Sequence, residues 1–240
     1  MHFTWCLYIQ CDGVPQMDDG KAEYIRGRFS LEWANILECP VTLECSDEET
    51  KYLTRPYDAM KIQRMISGHV ERADVVVDAF ACIGGDSLAA MCVHRAADLY
   101  AVQRVKGATE RERFDRLGVN IRRVRNILRR PGRVYWINSD VGNFLMNFDK
   151  NISVLHLDPP WALGSDSSSM SPLSEIRRFL KHNVFDHLRK GRYPRVICFK
   201  LPCRADDIED WPGLAVRYVS AEHRPMKSYY VHILRVVADV

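Results

Sequence analysis

Asp158-Pro159-Pro160-Trp161 closes the apolar run Val154-Leu155-His156-Leu157 and holds the residue types with the most specific chemistry in this chain. A carboxylate can accept hydrogen bonds from a flat amino group. The prolines fix the backbone and free the Pro159 carbonyl to point outward. An indole offers a face on which a base can stack. In such a site Asp158 and the Pro159 carbonyl accept the two N–H bonds of an amine, and Trp161 holds the ring. Tyr57 and Phe80 are candidate second faces of that clamp. Arg55, Arg224 and Lys227 are candidate phosphate contacts.

A second constellation lies upstream. Val75-Val76-Val77-Asp78-Ala79-Phe80 is followed by Gly84-Gly85 and a helical pattern over 87–97. This reads as a strand, a tight loop and a helix start. Glycines there let the backbone approach a ligand closely. The dinucleotide spacing G-x-G-x-x-G is absent. The loop instead suits S-adenosylmethionine, with Asp78 serving its amino or ribose end. An ordinary strand-to-helix turn is the plainer alternative. Together the two constellations suggest methylation of a nucleobase amino group.

Such residues need a sheet to position them. Strand patterns fall at 75–79, 99–102, 134–137, 154–157 and 196–199. Helical patterns fall at 57–70, 87–97, 108–128, 142–147 and 174–188. Residues 214–220 and 229–237 read as a closing antiparallel pair. The alternation predicts an α/β fold, Rossmann-like, with a mostly parallel sheet and a C-terminal antiparallel hairpin. Ligands of such sheets lie at the carboxyl ends of the strands, where Asp78, Asp140 and Asp158 fall. Ser165 to Ser171 forms a serine-rich loop just after the proposed catalytic motif.

At 240 residues, 47% of them apolar, the chain suits one large domain with an extension. The reading divides it into an acidic extension, 1–50, and a main domain, 51–240. Short strands are expected at 3–10 and 41–45, and a short helix at 30–37. Residues 1–50 carry ten acids and three bases, while the remainder carries 31 bases and 21 acids. Over 104–133 there are eleven Arg and Lys against Glu110, Glu112 and Asp115. Arg122, Arg123, Arg125, Arg129, Arg130 and Arg133 have no acids nearby in sequence, which favours contact with a polyanion such as RNA. The eight cysteines form no C-x-x-C pair and suit reduced thiols rather than a zinc site. No apolar run approaches a membrane span, and Met1-His2-Phe3-Thr4-Trp5 does not open a signal peptide. A nuclear or cytoplasmic protein with no metal is the expectation.

The chain resembles the RNA cap guanine-N2 methyltransferases, or trimethylguanosine synthases, over roughly residues 50–236. The resemblance rests on Thr54 through Met65, Val76-Val77-Asp78-Ala79-Phe80 with Gly84-Gly85, Ser139-Asp140, and Pro159-Pro160-Trp161. It continues through Met170-Ser171-Pro172 and Leu201-Pro202 with Ala205-Asp206. It implies a class I methyltransferase fold, S-adenosylmethionine as cofactor and methyl transfer to N2 of a 7-methylguanosine cap on RNA. Trp161 would stack on the base. Asp78, Ala79, Phe80, Gly84, Gly85, Gln103, Asp140 and Asp158 would line the cofactor, with Asp140 near the adenine amino group.

Three departures keep other readings open. Asp158 stands where the family often has serine, and Asp-Pro-Pro-Trp is shared with enzymes that methylate adenine N6. Gln103 stands where an acid would hold the ribose hydroxyls, which leaves room for an inactive cofactor-binding subunit. Ala162-Leu163-Gly164 replaces a glycine pair. A different set, Lys61, Asp158, Lys200 and Glu222, resembles the tetrad of ribose 2′-O-methyltransferases. There a lysine of depressed pKa takes the hydroxyl proton. The plainer reading of Lys200 is a strand-end lysine with its ammonium in water.

Overall fold

The computed structural model describes residues 20–47, 49, 53–129, 132–160, 171, 173–188, 192–201, 217–225 and 229–237. Of residues 20–26, 217–225 and 237 the backbone alone is described.

Among the described residues seven strands form one sheet: β1 (Val75–Asp78), β2 (Asp98–Gln103), β3 (Val134–Asn138), β4 (Val154–Leu157), β5 (Val196–Leu201), β6 (Arg217–Pro225) and β7 (Tyr230–Val237). Their spatial order is β3-β2-β1-β4-β5-β7-β6. The first five are mutually parallel, and β7 runs antiparallel to both β5 and β6. The expected Rossmann-like sheet with a closing hairpin is therefore present. β1 and β4 are central and buried along their whole length, as near-continuous Val/Leu runs predict for strands covered on both faces.

Among the described residues six helices cover the sheet: α1 (Gly20–Leu37), α2 (Pro56–Ser67), α3 (Gly85–Val93), α4 (Ala108–Leu128), α5 (Val141–Asn147) and α6 (Leu173–Asn183). Val76, Val154, Val196 and Cys198 pack with apolar residues of α1 to α4 on one face. Val77, Leu155, Leu157, Ile197 and Phe199 pack with α5 and α6 on the other. Alternation along a strand decides which face each residue meets.

Three elements differ from the sequence reading. The 30–37 helix is the end of the longer α1, because Phe29 and Trp33 are both buried in the core. Residues 41–45 form no strand; they run as an irregular strap held by side chains of α4. The 174–188 helix breaks after Asn183, where Val184 takes φ −127 and ψ −64, and a 3-10 turn follows at Phe185–His187. The expected 3–10 strand lies outside the described residues.

Candidate active site

Parity along the strands builds the site before any ligand is considered. Asp78 is in register with His156, and Leu157 with Phe199. One step further, Asp158 and Lys200 are neighbours across two parallel strands. Asp78, His156, Asp158 and Lys200 share the face that carries Val76, Val154 and Cys198, so they point toward α2 and α3.

There they form a buried polar layer. Lys200 is only 2% exposed. Its Nζ donates to Thr54 Oγ1 at 2.5 Å, to Asp86 Oδ2 at 3.0 Å, and to Asp158 Oδ2. Thr54 Oγ1 donates to Asp86 Oδ2 at 2.9 Å. His156 Nε2 lies 3.7 Å from Asp86 Oδ2, and the other ring nitrogen is 3.3 Å from Gln63 Nε2. The Tyr229 ring lies under the ammonium, 5.2 Å from its centroid. Burial acts to lower Lys200, but the carboxylates of Asp158 and Asp86 outweigh it, and the net direction is up. For Asp86, burial acts upward and is outweighed by Lys200 and His156, so its net direction is down. Asp158 moves up, because burial exceeds the opposing pull of Lys200.

Asp78 is a second buried acid. Ser87 Oγ donates to its Oδ2 at 2.6 Å. Burial, helped by the nearby Asp86, pushes Asp78 up to about 6 against the pull of His156. Ala79, beside it, is buried, and its N–H donates to the His156 carbonyl at 3.0 Å.

The glycines of the loop serve the chain's own packing. Gly84 takes φ +102, and a Cβ there would lie 2.9 Å from Leu117. A Cβ on Gly85 would meet the Thr54 carbonyl at 3.3 Å. Gln103 is turned inward to the same loop: its Oε1 accepts from the Cys82 N–H at 2.9 Å, and its Nε2 donates to the Arg104 carbonyl at 3.1 Å. Asp140 caps α5 by accepting from the Gly142 N–H at 3.0 Å, and its Oδ2 pairs with Arg104 Nη1 at 3.1 Å.

The sequence-derived residues divide clearly. Asp78, Ala79, Gly84, Gln103, Asp140, Asp158 and Pro159 all lie along the carboxyl ends of β1, β2, β3 and β4 or in the loops that follow them, and Gly85 opens α3. Phe80 is half-buried, its ring 6.0 Å from that of Phe179. Tyr57 is 53% exposed, and Arg55, which precedes α2, is exposed too. Trp161 and Lys227 lie outside the described residues, as do the side chains of Glu222 and Arg224 and the serine-rich loop up to Met170. Of the tetrad, Asp158 and Lys200 are in contact, Lys61 is exposed on α2, and the side chain of Glu222 lies outside the described residues. Lys200 is not a solvated strand-end lysine, for its whole side chain is enclosed. Asp86, Thr54 and His156 were not singled out as site residues. The one signal in the sequence was parity, which puts Lys200 on the same sheet face as Asp158.

The arginine reading also changes. Arg123 donates to the Thr42 carbonyl at 2.6 Å and pairs with Glu44 at 3.0 Å. Arg116 pairs at 2.9 Å with the buried Glu49, and Arg133 with Asp98 at 3.2 Å. Arg122 lies over the Trp136 ring, 5.5 Å from its centroid. The acids that balance Arg123 and Arg133 are remote in sequence and close in space, while Arg116 also pairs with Glu112 one turn away at 3.0 Å. Arg125 and Arg129 are exposed.

No protein-family model matches the chain, and no curated protein does. Solved structures do. The METTL16 methyltransferase domain matches with a TM-score of 0.66 at 11% identity, covering 92% of this chain and 99% of that one. The rRNA methyltransferase aviRa from Streptomyces viridochromogenes matches at 0.57 and 13% identity, covering 84% and 92%. TrmN from Thermus thermophilus matches at 0.52 and 14% identity over 77% of this chain, which spans about half of that longer protein (49%). The fold is that of the class I methyltransferases. Among the described residues no helix is long and apolar enough to cross a membrane.

Proposed function

We propose that this chain is an S-adenosylmethionine-dependent RNA methyltransferase that acts on the exocyclic amino group of a base, with N2 of a 7-methylguanosine cap as the first assignment. The observation that carries this reading is Asp158. It stands at the carboxyl end of β4 and is 22% exposed at its side chain. One of its oxygens is engaged by Lys200, and Oδ1 has no partner among the described residues. A carboxylate so placed is an acceptor waiting for a donor, and two prolines follow it. The fold supports a methyl donor, and the named neighbours METTL16 and aviRa are methyltransferases, the latter of rRNA.

The donor set fits a cationic cofactor. Asp86 and Asp158 contact the Lys200 ammonium, Asp78 is a third buried carboxyl near Asp86, and Asp86 Oδ1 is buried without a partner among the described residues. S-adenosylmethionine carries a sulfonium and an ammonium, and when bound supplies an activated methyl. Asp78, Ala79, Phe80 and Gly84-Gly85 would line it, with Gln103 and Asp140 toward the nucleoside. Because Gln103 spends its carboxamide on the loop backbone, it shapes the loop as well as any contact to ribose.

The chain's own task is then alignment. Asp158 and the Pro159 carbonyl hold the two N–H groups, which turns the nitrogen lone pair toward the methyl. Trp161 stacks on the base, and a 7-methylated guanine is cationic, adding a cation–π contribution of roughly 0.5–2 kcal/mol. Tyr57, Arg55, Arg224 and Lys227 remain proposed contacts to the cap. The ribose alternative needs a lysine that gives up its proton, whereas two carboxylates hold Lys200 as a cation. Adenine N6 remains the second reading, favoured by the acid before Pro159. Nucleoside analysis of capped RNA after incubation with labelled donor tests the assignment: 2-methylguanosine species are expected. N6-methyladenosine supports the second reading, and a 2′-O-methyl product ends both.

A further inference from the structure

We propose that Lys200 is a positioning residue that sets the hydrogen-bonding polarity of Asp158: it occupies Oδ2, so that Oδ1 is the acceptor turned to the substrate amine. This rests on the amino-group reading and deepens it.

The geometry leaves the ammonium no freedom. A lysine has three donors, and here Thr54 Oγ1, Asp86 Oδ2 and Asp158 Oδ2 take them. Thr54 cannot reverse its role, since its single hydroxyl hydrogen is given to Asp86. The Lys200 nitrogen must therefore donate to Thr54, and the ring of Tyr229 closes the remaining side. Asp158 sits on the next strand with one oxygen fixed by this pinned cation. An ionised carboxylate offers only acceptors, so whatever meets Oδ1 must bring a hydrogen. An amine does so; a carbonyl edge does not. The charged and titratable groups facing Asp158 are Lys200 from β5, Asp86 from α3, His156 from β4 and the phenol of Tyr229, with Asp78 beyond and the thiols of Cys82 and Cys198 alongside. Lys200 is the one ammonium among them. Without it, burial and Asp86 both favour the protonated acid, which would donate toward the amine instead.

The test is the sign of a double-variant effect. In Asp158→Asn the amide carbonyl must face the Lys200 ammonium, so its NH2 faces the substrate amine, donor against donor. The methylation rate on capped RNA should fall roughly 10- to 100-fold. Adding Lys200→Met releases the amide to turn its carbonyl outward. The Asp158→Asn/Lys200→Met protein should then be faster than Asp158→Asn alone, by about fivefold or more. A double variant as slow as the single one or slower, with equal S-adenosylhomocysteine binding, would overturn the proposal, because a purely structural lysine predicts no recovery. A substrate-free reading comes from ¹³C NMR of aspartate carboxyls, with Asp158 assigned by its absence in Asp158→Asn. Its midpoint should rise by about one pH unit or more in Lys200→Met; an unmoved midpoint counts against the idea. Should the Lys200 variants fail to fold, Thr54→Val keeps every charge and unpins the ammonium. It should lower kcat several-fold at unchanged cofactor affinity, and an unchanged kcat would overturn the assignment. Product analysis keeps the two claims apart: a methylated amine without recovery in the double variant ends only the role of Lys200, and a methylated ribose ends the amino-group reading.

Discussion

Asp78 is buried in a layer that already holds two other aspartates, and its carboxyl is pushed up to about 6 by that burial. Its unfolded value is near 3.8, so the folded state binds the extra proton between these two values. Stability from this group is therefore present below about pH 4 and is lost as pH rises through about 6. At pH 7.5 the ionised Asp78 destabilises the ligand-free fold by up to about 3 kcal/mol. Asp78→Asn should raise Tm at pH 7.5, with the gain shrinking toward pH 4, while binding of S-adenosylmethionine weakens severely. Thermal melts across pH and calorimetry check both halves; a lower Tm at pH 7.5 would show that the charge is satisfied within the protein. Trp161 raises a separate expectation. Loss of stacking costs about 1–3 kcal/mol per base, so Trp161→Ala should lower kcat/KM on capped RNA by roughly 10- to 100-fold, with cofactor affinity unchanged by calorimetry.

At the scale of elements, the strand-to-helix loop is fixed from three sides. Gln103 at the end of β2 accepts from Cys82, Asn120 on α4 donates to the Ile83 carbonyl at 3.1 Å, and Thr54 presses on Gly85. The same Asn120 accepts from the Glu44 N–H at 2.7 Å, so one side chain ties the irregular strap to the loop. Gly84→Ala brings a Cβ to 2.9 Å from Leu117 and forces a positive φ on an alanine. It should lower stability by roughly 1–3 kcal/mol, read as a drop in Tm, with weaker cofactor binding as the loop shifts. Legibility differs between the elements of this region. The α4 span was readable to the residue, from its long 3.6 period. The strap was not, because its backbone groups bond to side chains some 76 residues away, and no local pattern reports that.

Across the whole molecule, charge is compensated by tertiary contact. The acidic N-terminal part gives Glu44 and Glu49 to arginines of α4. Arg125 and Arg129 stay exposed and are the better candidates for phosphate contact. Charge reversal at both should reduce the slope of log K against log salt for single-stranded RNA by about 0.7 per lost contact. Arg123→Glu should act differently: it faces Glu44 and leaves the Thr42 carbonyl unpaired, so it should lower Tm while the salt slope changes less. A filter-binding salt series beside thermal melts separates the two effects. Equal slopes for wild type and the Arg125/Arg129 reversal would make that surface a solvated helix face.

The residue pattern alone determined the parallel sheet, its closing hairpin and the acids at the strand ends. Those depend on short-range periodicity: alternating or continuous apolar runs, turn signals, and the positions where runs stop. It also placed Asp78, Asp140 and Asp158 on one edge, since any parallel sheet brings its carboxyl ends together. Tertiary structure decided what those side chains touch. Lys61 and Lys200 look equivalent in sequence, yet one faces water on α2 and the other is enclosed by three oxygens. Arg123 and Arg133 look unpaired along the chain, yet Glu44 and Asp98 reach them in space. Burial, and the partners that burial enforces, come from strand order and helix packing, and these join residues too far apart for any local spacing to record.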